Sequence, residues 1–136
     1  MIEPDAGTHD ALRRRLPGIA RVQVVHVTDE QSIAEACAVA PEVDALLLDS
    51  GNPNAPVKEL GGTGRVHNWE LSRRIRERVR VPVFLAGGLN AANVARAVGS
   101  VRPYAVDVCS GVRTHGALDR EKLTAFVAEV QRASEA

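Results

Sequence analysis

Four short apolar runs recur along the chain, and each is followed by a stretch with helical spacing. The runs are ARVQVVHV (20–27), VDALLLDS (43–50), VPVFLAGGL (81–89) and YAVDVCSGV (104–112). Rich in Val and Leu, they read as strands, and the second has the unbroken apolar character of a strand covered on both sides. The intervening stretches read as helices. THDALRRRL starts at Thr8 and is stopped by Pro17-Gly18, and DEQSIAEACAVA sets Ile33, Ala36, Cys37 and Ala40 on one face. NWELSRRIRERV, capped by Asn68, sets Trp69, Leu71, Ile75 and Val79 against arginines on the wet side. NAANVARAV is capped by Asn90, and REKLTAFVAEVQRA follows a loop that contains Gly116. Strands alternating with helices in this way predict a parallel α/β sheet built from right-handed βαβ crossovers.

Composition narrows what such a sheet can do. Aromatic residues are only 3% of the chain while hydrophobic residues are 45%, so the core must be aliphatic. Seventeen basic and seventeen acidic residues leave no net charge, which argues against nucleic-acid binding by bulk electrostatics. The apolar runs are too short to span a membrane, and no signal peptide is visible. Cys37 and Cys109 match no zinc or CxxC spacing and sit in apolar surroundings. They read as reduced thiols of a cytoplasmic protein, Cys109 as a small buried residue. With 136 residues and no interdomain linker, the chain is expected to form one domain over 1–136.

In parallel α/β folds the functional edge lies at the carboxyl ends of the strands. There the sequence places His26, Thr28 and Asp29, then Asp49-Ser50-Gly51, then Gly87-Gly88, then Cys109-Ser110-Gly111. Glycines at strand ends let a ligand approach the backbone, and the last two ends face helix starts, where free amides attract a phosphate. Asp49 ends an apolar strand at the rim of a low-dielectric mouth, where burial would favour the protonated form that a general acid needs. His26 and His67 show no partner in the sequence and read as structural or surface residues. The run Arg73, Arg74, Arg76, Arg78, Arg80 reads as a solvated helix face.

Three blocks together, LLLDS…KELGGTGRVHNW, VFLAGGLNAANVARAV and AVDVCSGVRTHGALDREKLTAFV, resemble the phosphoribosylanthranilate isomerase family of tryptophan biosynthesis. They cover about residues 43–130 in the order and spacing of that family, and RVQVVHV sits where its fifth barrel strand would be. The resemblance implies a (β/α)8 barrel, of which this chain would be the C-terminal half, a parallel (βα)4 half-barrel. It implies an Amadori rearrangement of an aminoaldose phosphate to an aminoketose phosphate without metal or organic cofactor. It assigns Asp49 as general acid. It also assigns Gly87, Gly88, Ser110 and Gly111 to the phosphate site, Asp107 to the neighbourhood of the sugar, and Gly62, Thr63 and Gly64 to a mobile loop that closes over the phosphosugar.

The chain also departs from the family pattern. Only four βα units are present, and a full barrel needs roughly 200 residues or more. The family's general base, a cysteine in a K-x-C-G-type strand end, has no counterpart here, and neither does an arginine for the anthranilate carboxylate. Cys109 stands where the family has small serine-like residues and reads as a mild variant rather than the base. Four strands with two open edges are expected to associate, as a homo-oligomer or with a separate N-terminal half. Two other readings remain at this point: a phosphosugar-binding module without catalysis, and a structural half-barrel that forms a homodimer.

Overall fold

A computed structural model of the chain describes residues 7–49 and 65–135. Its centre is a four-stranded parallel sheet: β1 (Val22–His26), β2 (Ala45–Asp49), β3 (Val83–Ala86) and β4 (Ala105–Val106), in the order β1-β2-β3-β4. Each strand lies beside its neighbour in sequence, so every connection is a βα crossover. The helices are α1 (Thr8–Arg15), α2 (Gln31–Val39), α3 (Arg65–Arg78), α4 (Val94–Val101) and α5 (Arg120–Glu135).

The pairing register sorts the strand residues into two faces. Gln23, Leu46 and Val83 form one row across the sheet, and Val25, Leu48, Leu85 and Val106 form another two residues on. Side chains two apart share a face. Most of these residues are buried, and Val25, Leu46, Leu48 and Leu85 are completely so. They pack with Ile33 and Ala36 of α2, Leu71 and Ile75 of α3, and Val94, Ala97 and Val101 of α4. Each such aliphatic side chain contributes about 1.5–3 kcal/mol on burial.

The alternate row, Val24, Leu47, Phe84 and Ala105, points to the opposite face and is only half-buried. The apolar run of β2 is therefore not covered equally on both sides, contrary to the sequence reading. At the amino end of the sheet Phe84 stacks on Tyr104 with ring centroids 5.8 Å apart, and Tyr104 is 75% exposed.

Local chemistry explains where elements start and stop, and where the sequence reading misses. The expected strand 104–112 shrinks to Ala105–Val106, with only the amides of Tyr104 and Asp107 extending the ladder onto β3. Ser110–Val112 then form a 3-10 turn. Helix α3 begins at Arg65, so Asn68 lies inside it and does not cap it. Asn90 does not cap α4 either: the cap position is Asn93, and the Asn90 Oδ1 accepts the Ala92 amide at 2.9 Å in the turn before the helix. The arginine run is not wholly solvated, because Arg76 Nε donates to the Val101 carbonyl at 3.0 Å and ties α3 to the end of α4. Arg74 is also engaged, pairing with Glu30 just before α2, while Arg73 bridges Glu70 and Glu77 along its own helix.

After β4, Arg113–Thr114 (β5) and Ala117–Leu118 (β6) make a small antiparallel hairpin. Its turn places His115 and Gly116 at φ 50° and 80°, the left-handed pair that suits a tight hairpin. Asp119 follows and starts α5: its Oδ1 accepts the amides of Glu121 and Lys122 at 3.1 Å, and its Oδ2 accepts the Thr114 hydroxyl at 2.6 Å. These bonds, the Thr114 hydroxyl foremost, hold the Asp119 carboxyl below the usual aspartate range. A carboxyl lowered in the folded state adds stability above its unfolded pKa, near 3.9, and loses it as pH falls through the lower folded value. The stability difference between the parent chain and Asp119→Ala should accordingly be full at neutral pH and shrink as the acid limb is entered. Urea unfolding at stepped pH measures it, and a difference that stays constant down to the acid limb contradicts the assignment.

Candidate functional site

The next row of the sheet lies at the carboxyl ends of the strands. The register pairs His26 with Asp49 and Asp49 with Ala86. Asp107 follows Val106, the partner of Leu85, and so stands level with Ala86. This row belongs to the open face, and its side chains line a cavity of about 400 Å³ together with Gly87 and Gly88. Four of the residues singled out in the sequence, Asp49, Gly87, Gly88 and Asp107, thus share one cavity among the described residues.

Asp49 is less buried than its place in an apolar strand suggests: its side chain is 34% exposed, and Oδ2 lies 3.6 Å from His26 Nδ1. His26, which the sequence places at this edge but which reads there as a structural or surface residue, lines the cavity beside Asp49. Its signal was available, since the runs VQVVH and ALLLD put a histidine and an aspartate at equivalent strand ends. Cys109, expected to be buried, is exposed and lines the same cavity, because the chain leaves the sheet after Val106. His67 falls in the first turn of α3, where the backbone alone is described.

The glycine turns are built by two constraints. Gly87 and Gly88 sit at φ 92° and 62°, the left-handed region where a Cβ is strained. Asn93 holds this turn, with Nδ2 donating to the Gly88 carbonyl at 3.0 Å and Oδ1 accepting the Asn90 amide at 2.9 Å. Gly111 is required for another reason: an added Cβ would lie 1.8 Å from the Leu89 carbonyl oxygen. The turns after β3 and β4 therefore meet backbone to backbone.

Ser110 and Gly111 do not line the Asp49 cavity. Ser110 is exposed at the start of the 3-10 turn, and Gly111 borders an adjoining depression beside Asn90 and Lys122. Gly62, Thr63 and Gly64 lie outside the described residues, as does Ser50. Among the described residues, no group of three or more His, Cys, Asp or Glu side chains is placed to hold a metal ion, and no helix is long and apolar enough to cross a membrane.

Comparison with known proteins follows the same geometry. Residues 3–129 match the family model described as N-(5'phosphoribosyl)anthranilate (PRA) isomerase. An N-(5'-phosphoribosyl)anthranilate isomerase of Haloferax volcanii is 42% identical over 130 residues, covering 95% of this chain and 56% of that protein. The phosphoribosyl anthranilate isomerase structure from Thermotoga maritima superposes with a TM-score of 0.77 at 30% identity, over 96% of this chain and 58% of that one. A further structure of such an isomerase, in complex with reduced 1-(o-carboxyphenylamino)-1-deoxyribulose 5-phosphate, gives a TM-score of 0.72 at 27% identity, over 96% of this chain and 56% of that one. The chain spans about half the length of the curated relatives it matches.

The backbone contact at Gly111 makes a sharp expectation. Gly111→Ala should destabilise the chain by about 1–3 kcal/mol, since the clash is with backbone and cannot be relieved by a rotamer change. Gly99→Ala, in α4 with nothing within 4 Å of the added methyl, should instead stabilise by up to about 1 kcal/mol. Urea midpoints of the two variants decide. Equal and neutral effects contradict the close approach.

Proposed function

The chain belongs to the N-(5'-phosphoribosyl)anthranilate isomerase family, and on that premise we propose that it carries the C-terminal half of an isomerase of tryptophan biosynthesis. The reaction is the Amadori rearrangement of N-(5-phosphoribosyl)anthranilate to the carboxyphenylamino-deoxyribulose phosphate. The single observation that carries this reading is the row at the strand ends. It sets the Asp49 carboxylate and two left-handed glycines around one cavity.

Each part has a defined task. Asp49 gives its proton to the furanose ring oxygen as the C1–O bond breaks, leaving the open-chain Schiff base. A base then removes the C2 proton. In the family that base is a cysteine in a K-x-C-G-type strand end, a motif that these 136 residues do not carry. The turn of Gly87 and Gly88 and the turn of Ser110 and Gly111 hold the phosphate with backbone amides, so binding energy at the far end of the substrate places the reacting carbons. Asp107 lies beside the sugar, and Gly62, Thr63 and Gly64, outside the described residues, contribute to substrate binding. No metal or organic cofactor enters the chemistry.

The half-barrel reading has support in what the sheet leaves open. Val24, Leu47 and Phe84 are half-buried on the open face, and Ile19, Val22 and Tyr104 are 62%, 46% and 75% exposed near the two sheet edges. A second set of four βα units would cover that face and abolish both edges. We place the assembled enzyme in the cytoplasm, where the pathway's small-molecule substrate is made and used.

Complementation tests the proposal. Mixed with the N-terminal four βα units of the Haloferax volcanii relative, the chain should turn over N-(5-phosphoribosyl)anthranilate. Asp49→Asn should then lower turnover by about 10²–10⁴-fold while calorimetry still registers the reduced deoxyribulose-phosphate ligand. Full activity in Asp49→Asn contradicts the acid assignment. Ligand binding without turnover in the parent assembly makes the chain a binding module instead.

A further inference from the structure

The side chain facing Asp49 across the sheet has no assigned task. We propose that His26 is a positioning residue for Asp49, its imidazole Nδ1 holding one carboxyl oxygen so that the other is directed at the substrate. This rests on Asp49 being the acid of the proposed isomerase.

Three observations carry it. First, the pairing is fixed by the backbone. His26 and Asp49 are register partners in β1 and β2, and the Val27 amide donates to the Asp49 carbonyl at 3.0 Å. Second, the histidine end of β1 is held from behind. Ser32, buried in α2, donates its hydroxyl to the His26 carbonyl at 3.1 Å and accepts the Thr28 amide at 3.1 Å. Third, the ring is 29% exposed, yet Nδ1 itself is buried and has no hydrogen-bond partner among the described residues. A buried polar nitrogen of this kind needs a partner, and Asp49 Oδ2 at 3.6 Å is the acceptor it faces. A few tenths of an ångström bring the pair within hydrogen-bond range.

The other polar side chains on the cavity wall, Asp107 and Cys109, come from the opposite side, near β4. A neutral imidazole whose Nδ1–H is given to Asp49 therefore fixes the orientation of the carboxyl group without adding a charge beside it.

The tautomer of the ring is the readout, because it reports the bond directly and needs no turnover. In the full 136-residue chain with 15N-labelled histidine, measured well above pH 7, the His26 proton should reside on Nδ1 and move to Nε2 in Asp49→Ala. A proton already on Nε2 in the parent, or a tautomer unchanged by Asp49→Ala, overturns the pairing.

The complemented enzyme supplies the second arm. His26→Leu should lower kcat about tenfold with KM within twofold. His26→Asn, which keeps a nitrogen donor where Nδ1 stands, should recover much of the loss. Unchanged kcat in His26→Leu overturns the positioning role. Absence of turnover in the parent assembly removes the isomerase reading and the role that rests on it, whereas the tautomer measurement still reports whether the pair exists.

Discussion

The backbone of Gly111 approaches the Leu89 carbonyl so closely that no side chain fits between them. Much of the carboxyl-end rim depends on that contact. It joins the turn after β3 to the turn after β4, although β4 itself is held by only two paired residues. A strand so short cannot set the position of the residues that follow it. The meeting of two backbones can, with Val112 buried behind it and Asp119 anchored to the Val112 carbonyl at 2.9 Å. Asn93 stiffens the other turn through the Gly88 carbonyl. Both turns are thus fixed by contacts within the chain itself.

Register does the rest. With one face buried against helices, a slip of a single residue in β2 would turn Leu46 and Leu48 outward and lose several kcal/mol of apolar burial. The same constraint that stabilises the sheet therefore decides that Asp49 faces the cavity beside His26. Stability and chemistry are set by alternate residues of the same strands.

Much of this was legible from the residues. The first three strands and the five helices appear close to where alternation and helical spacing put them, because those patterns are the packing pattern itself. Asp49, Gly87, Gly88 and Asp107 come together because parallel pairing brings strand ends to one level. Other features were hidden for identifiable reasons. The shortness of β4 and the close approach at Gly111 are tertiary features that leave no trace in the apolar run YAVDV. Cys109 looked buried because its neighbours are apolar, but it lies past the end of the sheet. Asn68 looked like a cap because asparagine often is one, whereas the helix begins at Arg65. His26 looked partnerless because its partner is 23 positions away and is found only through the register.

Family membership and the row at the strand ends meet in one claim: two glycine turns and the Asp49 carboxylate bind a phosphosugar together. Amide NMR of the 15N-labelled chain, titrated with reduced 1-(o-carboxyphenylamino)-1-deoxyribulose 5-phosphate, tests it most directly. The largest shifts are expected at the amides of Gly87, Gly88, Ser110 and Gly111, with smaller ones around Asp49. Saturable shifts centred elsewhere, or none at millimolar ligand, would contradict it.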